Sequence, residues 1–423
     1  MKILQVGAGD FFSTYGGGQV YVKNLVDAMI DKGADLAVVS FVVGTAEPTE
    51  KDYRGIKLVE VPAAESEELL ENTIREIAPD VIHAHSMKHL VCRIGRRLNV
   101  PVVVTSHHGG ILCPAGTRLD CRDEICHRQV NHKDCLSCVL RNTRTGLRWW
   151  YPFMKYLPEN TYLKLGRFLR SKPFVPFVTP IGGAALAIRN KQEQWREIAE
   201  RCTVMVAPCR EIAEAMVSNG LDRAKMKVIT HGIPLPKERP SYPLIVNERV
   251  KFYYVGRICY VKGIHTLLDA FSRVDNPDIE LHLIGGAGNK HERRYMERLQ
   301  KKHSSDKRIV WHGKIAPEAV FEATRNYHVS SSSSAFLEAF GLNIAEALAL
   351  GKPVLATRSG GGEMQIEDGV NGWLVPTNDA DAMAERMKWI AEHPEVLPQM
   401  SARGSAKSME EHAGELMELY KSL

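Results

Sequence analysis

The stretch from Ser330 to Thr357, SSSSSAFLEAFGLNIAEALALGKPVLAT, constrains the fold more than any other part of the chain. A serine run leads into Phe336, Leu337 and Glu338, then into Ala339-Phe340-Gly341. An apolar, alanine-rich pattern at helical spacing follows from Leu342 to Leu350. Gly351 suits the left-handed residue that closes a helix, and Pro353 prevents its continuation. Val354 to Thr357 then reads as a buried strand. Glu338 therefore falls in a loop just before a helix, and Glu346 falls inside that helix. The first turn offers backbone N–H groups without partners of their own, which attract an anion. A carboxylate beside it is placed to accept hydrogen bonds from hydroxyl groups. Either Glu alone is ordinary helix surface. Set among Ile344, Ala345, Ala347 and Leu348, however, Glu346 reads as a partly buried carboxylate that needs a partner.

The rest of the chain repeats the grammar of strand, loop and helix. Lys2 to Val6 reads as a strand, Gly7 to Gly18 as a loop ending in Gly16-Gly17-Gly18, and Gln19 to Lys32 as a helix. Asp35 to Val42 is the next strand, which completes a βαβ unit of a parallel sheet. The glycine triplet lacks the GxGxxG spacing, and no acidic residue follows at the ribose position, so a dinucleotide site is not indicated. Short apolar strands continue at Leu58–Val61, Val81–Ala84 and Val102–Ser106. His83, His85, His107 and His108 stand at or just past their carboxyl ends, where ligands of such sheets bind. Cys202 to Pro208 and Val228 to Thr230 read as the last strands of this half. Pro234, Pro236 and Pro240 form a stiff linker. Strands resume at Val250–Val255, Ile279–Ile284 and Ile309–His312. The fold class is α/β, with two doubly wound Rossmann-like domains. Residues 1–235 form the first domain and 236–403 the second.

Length and charge exclude several classes. A chain of 423 residues with a formal net charge of +5 carries no strong signal for nucleic acid. No run of about 18 apolar residues indicates a membrane span, and the start, a strand and a glycine loop, does not resemble a secretion signal. Two segments stand apart. Cys113, Cys121, Cys126, Cys135 and Cys138 fall within residues 113–138. Four thiolates suit a structural zinc, with an iron–sulfur cluster as the second reading and reduced thiols or an oxidised pair as the plain alternative. Residues 141–172 carry eight Lys or Arg against one acidic residue, Glu159, interleaved with Trp149, Trp150, Tyr151, Phe153, Tyr156, Tyr162 and Phe168. That mixture suits an anionic membrane surface or an anionic lipid; the alternative is a helix pair with its aromatics packed inward.

Arg257 and Lys262 follow a strand and open a helix, where their charges can neutralise a diphosphate. Together with Glu338, the Phe340 to Asn343 turn and Glu346, they make a site for a diphosphate flanked by two sugars. The order and spacing of these residues resemble the retaining nucleotide-sugar glycosyltransferases of the GT4 family, which have the GT-B fold. The residues that carry the likeness are Gly256-Arg257 with Lys262-Gly263, and Glu338-Ala-Phe-Gly-Leu-Asn-Ile-Ala-Glu346. Gly360-Gly361-Gly362-Glu363-Met364 and Asp368-Gly369-Val370-Asn371-Gly372 extend it. The resemblance covers nearly the whole chain, and its motifs are most specific in the second half.

By that resemblance, Arg257 and Lys262 hold the leaving diphosphate and Glu346 receives the ribose hydroxyls. Glu338 receives hydroxyls of the donor sugar, and Phe340, Gly341, Leu342 and Asn343 offer backbone N–H groups. Lys314 and Ile315 face the nucleobase, Gly16, Gly17 and Gly18 cover the phosphates, His107 lies near the transferred sugar, and helix 404–423 crosses back to complete the first domain. Fixed cations at the phosphates would stabilise the charge that builds on the leaving group, so no metal is expected in catalysis. The implied partners are a nucleotide-sugar donor, UDP- or GDP-linked, and a glycan or lipid-linked acceptor in surface polysaccharide or glycolipid assembly. The implied location is the cytoplasm, with association to the inner face of the membrane. Two other classes stand as alternatives: a nucleotide-sugar epimerase of the same fold, and a non-catalytic scaffold.

Overall fold

The computed structural model describes residues 1–7, 11–12, 17–43, 47–62, 67–141, 158–170, 179–245, 249–316 and 319–423. They divide into two compact units. The first comprises Met1–Phe11, Ile30–Ile229 and Leu419–Leu423, and the second Phe12–Met29 and Thr230–Glu418.

In the first unit the strands are β1 (Lys2–Val6), β2 (Asp35–Val42), β3 (Thr49–Tyr53), β4 (Ile56–Pro62), β5 (Val81–Ala84), β6 (Val102–Thr105), β7 (Val204–Ala207) and β8 (Met226–Val228). They form one sheet in the order β3-β4-β2-β1-β5-β6-β7-β8. Every pairing is parallel except that of β3 with β4. The inner strands are apolar runs buried along their length, as a parallel sheet covered on both faces requires. The helices are α1 (Gly17–Asp31), α2 (Glu67–Ile77), α3 (Lys88–Leu98), α4 (His132–Arg141), α5 (Glu159–Arg170), α6 (Thr179–Arg201) and α7 (Arg210–Ser218). Residues 17–29 of α1 group with the second unit.

Two elements here depart from the sequence reading. β3, TEKDY, has four exposed residues of five and no apolar alternation to mark it. It is a charged edge strand, held where Lys51 and Thr49 both reach Glu60 on β4, at 2.8 and 3.2 Å. The last strand ends at Val228, not Thr230, because its pairing with β7 stops there.

The second unit holds β9 (Val250–Val255), β10 (Ile279–Ile284), β11 (Ile309–Gly313), β12 (Val329–Ser332), β13 (Val354–Thr357) and β14 (Gly372–Val375). All pair in parallel, in the order β11-β10-β9-β12-β13-β14. Its helices are α8 (Ile264–Arg273), α9 (Lys290–Lys302), α10 (Val320–Thr324), α11 (Leu342–Ala349), α12 (Ala380–Glu392), α13 (Leu397–Arg403) and α14 (Met409–Lys421). One face of the sheet packs Phe252, Leu281 and Leu283 against Leu267, Phe271 and Met387 of α8 and α12. The other face packs Tyr253, Val354 and Ala356 against Ile344, Ala347 and Leu348 of α11. With every strand parallel, all the carboxyl ends collect along one edge. Asp379 caps α12, its carboxylate accepting from Ala382 N at 2.9 Å, as its position before a helix implies.

The carboxyl ends of β9 and β10 approach backbone to backbone. Gly285 has φ +147°, and a Cβ there would stand 1.8 Å from the Gly256 carbonyl oxygen. Gly369 also has positive φ, +79°, but open space around it. We expect Gly285→Ala to cost on the order of 3 kcal/mol in urea unfolding, against about 1 kcal/mol for Gly369→Ala, where only the backbone conformation is strained.

Candidate functional site

The residues singled out in the second half converge on that edge. The chain leaves β9 through Gly256 and Arg257, and the Arg257 carbonyl accepts from the Tyr254 hydroxyl at 2.9 Å. The Arg257 side chain is largely exposed, with Nε 3.7 Å from Glu292 of α9. Glu292 in turn accepts from Gly288 N at 2.7 Å, at the end of the Gly285 to Gly288 loop that follows β10. The aliphatic part of Lys314, just past β11, lies over Gly286, where a Cβ would meet its Cγ at 2.9 Å. Ile315 follows it, half-buried.

Lys262 ends a short turn, Tyr260–Lys262. Its Nζ stands 2.7 Å from Glu338 Oε2, and both side chains are mostly buried, 21% and 12% exposed. The same carboxylate oxygen accepts from Ser334 Oγ at 2.7 Å. Backbone fixes both partners. Gly263, at φ +64°, lies against the chain past β12, where a Cβ would fall 1.8 Å from Ser333 O. Ser333 Oγ donates to Lys262 O at 2.9 Å, and Ala335 N to Val261 O at 2.9 Å. Glu338 N donates to Ser359 O at 2.7 Å, and Gly361 N to Glu338 O at 2.8 Å. Gly361 leaves no room for a side chain, since a Cβ would lie 2.2 Å from Ala339 O.

Gly341 begins α11 with φ +80°, and no side chain caps that end. Gln365 Nε2 donates to the Phe340 carbonyl and steadies the turn. Phe340 is buried, its ring 5.4 Å from that of His231. Leu342, Asn343 and Glu346 lie on or next to the first turn and are half-buried. Gly16 falls outside the described residues. Gly17 and Gly18 open α1, and a Cβ on Gly17 would come within 2.9 Å of Leu342 Cδ1. The structure thus brings Arg257, Lys262, Lys314, Glu338, the 340–343 turn and Glu346 together along four neighbouring strand ends and one helix start.

Ser334, Glu292 and the Gly285 to Gly288 loop belong to the same cluster and had no assigned role from sequence. The serine run hid Ser334 among five alike. Glu292 carried only the weak signal of an acid in the first turn of a helix.

In the first unit His107 is half-buried just beyond β6, its Nε2 3.0 Å from His85 Nδ1. His108 is exposed, and its Nδ1 accepts from Gly110 N at 3.0 Å. The expected metal set is not formed. Cys113, Cys121, Cys126, Cys135 and Cys138 are free thiols. Among the described residues no three His, Cys, Asp or Glu are grouped to hold a metal ion. Cys113, Cys126, Cys135 and Cys138 line a cavity of about 20 Å³ with Pro114, Ala115 and Leu119. Burial pushes the Cys135 thiol up to about 12 and that of Cys138 up to about 11. Of the basic and aromatic segment, 142–157 and 171–172 lie outside the described residues, Trp149 and Trp150 among them. Among the described residues no helix is long and apolar enough to cross a membrane.

Two family models match the chain: "Glycosyl transferases group 1" over residues 238–407 and "Glycosyltransferase Family 4" over residues 15–155. The chain is 28% identical over 197 residues to D-rhamnosyltransferase WbpZ of Pseudomonas aeruginosa, 44% of this chain and 49% of that protein. It is 25% identical over 403 residues to a D-inositol 3-phosphate glycosyltransferase of Xylanimonas cellulosilytica, 90% of this chain and 84% of that one. The match thus spans about half the length of the first relative. Among solved structures, Anabaena HepE in complex with UDP and glucose superposes with a TM-score of 0.65 at 16% identity, covering all of both chains. That likeness bears on the fold, which is GT-B.

Burial pushes the Glu346 carboxyl up to about 7. The folded protein therefore holds this proton more tightly than the unfolded chain. The stabilisation is complete below the ordinary carboxylate range and is lost as pH rises through 7. Between pH 4.5 and 8 the wild type should lose about 2 kcal/mol relative to Glu346→Gln, the figure allowing for partial exposure. Urea unfolding of both proteins across that range reads the difference.

Proposed function

We propose, from the premise that the chain belongs to the group 1, GT4-type glycosyltransferases, that it moves a hexose from a UDP- or GDP-linked donor to a glycan or lipid-linked acceptor, with retention. The observation that carries this reading is the Lys262–Glu338 pair, set beside Arg257 and the uncapped start of α11. Two fixed cations and a helix N-terminus at one strand edge suit a diphosphate. Carboxylates at both ends of the same turn suit hydroxyl groups on either side of it.

In the proposed mechanism, the bond between the sugar and the diphosphate breaks, with negative charge building on the phosphate and positive charge on the ring. Arg257, Lys262 and the α11 N–H groups stabilise the leaving group in place of a divalent cation. As the diphosphate arrives, Lys262 turns its charge towards it and Glu338 accepts from sugar hydroxyls instead. Glu346 accepts from the ribose, and Lys314 and Ile315 border the base. In this reading His107 has a role towards the transferred sugar. Attack on the same face, with a donor phosphate oxygen taking the acceptor proton, gives retention. The similarity to WbpZ and the likeness to HepE support a nucleotide-sugar donor; a surface polysaccharide or glycolipid is the acceptor class we assign.

Incubating the protein with a panel of UDP-, GDP- and ADP-sugars, without added metal, should release nucleotide from one donor. Lys262→Ala should lower that release by roughly 10²–10³. Glu346→Ala should abolish binding of the same nucleotide. Binding without release would call for an acceptor in the assay, and neither binding nor release would overturn the reading.

Ribose hydroxyls need Glu346 as a carboxylate. Nucleotide affinity should therefore rise about tenfold from pH 6 to pH 8, with a proton released on binding, and Glu346→Gln should abolish that component of the slope in calorimetry.

A further inference from the structure

A chain of buried polar side chains runs through the first unit and ends on His107. Gln5 on β1, His83 on β5, Thr105 on β6, and His85 just beyond β5 are 0–2% exposed, and Tyr420 of α14 is 2% exposed. Gln5 Nε2 donates to the Tyr420 hydroxyl oxygen at 3.3 Å. The Tyr420 hydroxyl stands 2.5 Å from His83 Nδ1, and His83 Nε2 stands 2.7 Å from Thr105 Oγ1. Gln5 Oε1 faces His85 Nε2 at 2.8 Å, and His85 Nδ1 faces His107 Nε2 at 3.0 Å.

These contacts fix a direction. A hydroxyl has one hydrogen, so Tyr420, accepting from Gln5, gives its own to His83 Nδ1. His83 then carries its proton on Nε2 and donates to Thr105. The Gln5 carbonyl oxygen only accepts, so His85 is protonated at Nε2. A neutral His85 then offers a lone pair at Nδ1, and His107 must donate from Nε2. The lone pair of His107 is left on Nδ1. A reversed Gln5 amide would reverse every bond and put the His107 proton on Nδ1.

We propose that Gln5 and Tyr420 are positioning residues that hold His107 as the Nε2–H tautomer, with Nδ1 as a hydrogen-bond acceptor for a hydroxyl of the reacting sugars. Helix α14 thereby sets the proton on a residue just beyond β6. The role of His107 towards sugar rests on the glycosyltransferase reading. The tautomer itself does not.

The test uses the full chain with ¹⁵N-labelled histidine at about pH 8, where neutral imidazoles dominate. Two-bond ¹H–¹⁵N correlations, assigned with His107→Gln, should show His107 protonated at Nε2 and bare at Nδ1. Gln5→Leu and Tyr420→Phe should each convert it to a mixture of tautomers. With an active donor, each should lower kcat about tenfold at unchanged donor KM. Tyr420→Phe deletes one oxygen and serves if Gln5→Leu folds poorly. A proton on His107 Nδ1 in the wild type would overturn the proposal, as would an unchanged tautomer in both variants. A tautomer shift in a protein that transfers no sugar would leave the relay standing and count against the glycosyltransferase reading alone.

Discussion

The second unit depends on one ion pair, Lys262 with Glu338. It joins the loop after β9 to the loop before α11, and with Ser334 it keeps a carboxylate and an ammonium satisfied where little water reaches them. Removing one partner of such a pair strands the other, so both are held by what the backbone does around them. Gly263 lets the Lys262 turn touch the chain at Ser333, and Gly361 lets the next loop close over Ala339. Lys262 and Glu338 thus stand side by side before any ligand arrives, and the proposed exchange of partners needs only a turn of the Lys262 side chain.

The elements around that pair were largely legible in the sequence, because they are built from local signals; the pair itself was not. The strand at Val354–Thr357, the helix before it and the glycine stop between them each obey one rule of chain geometry. Five further strands, β1, β2, β5, β9 and β10, run over the predicted residues, since buried parallel strands are mostly apolar and bounded by breakers. β3 was illegible for the opposite reason: an edge strand made of Thr, Glu, Lys, Asp and Tyr looks like a loop. The cysteines illustrate a different limit. Spacing in sequence suggested a ligand set, and the fold lines one small cavity with Cys113, Cys126, Cys135 and Cys138, yet among the described residues no three His, Cys, Asp or Glu are grouped to hold a metal ion. Glu292 and Ser334 escaped notice because what they serve comes from another loop. Glu292 also faces Arg257 at 3.7 Å, and Ser334 donates to the carboxylate that Lys262 meets.

The two units use the same strand edge with opposite electrostatics. In the second, the edge carries Arg257, Lys262, Lys314 and Glu338, with a helix end free of any side-chain cap. In the first, it carries Gln5, His83, His85, Thr105 and Tyr420, polar groups joined to one another by hydrogen bonds. A charged edge suits a ligand that brings several charges and leaves with more. A neutral edge suits hydroxyl groups, for which the position of a single proton decides between donor and acceptor. Parallel topology supplies both edges, and side-chain chemistry alone makes them different. The second unit thus works with charge that is always present, whereas in the first the direction of each hydrogen bond is set from within the core. A network of that kind tolerates no partial loss, because a single reversed amide changes the sense of every bond from Tyr420 to His107.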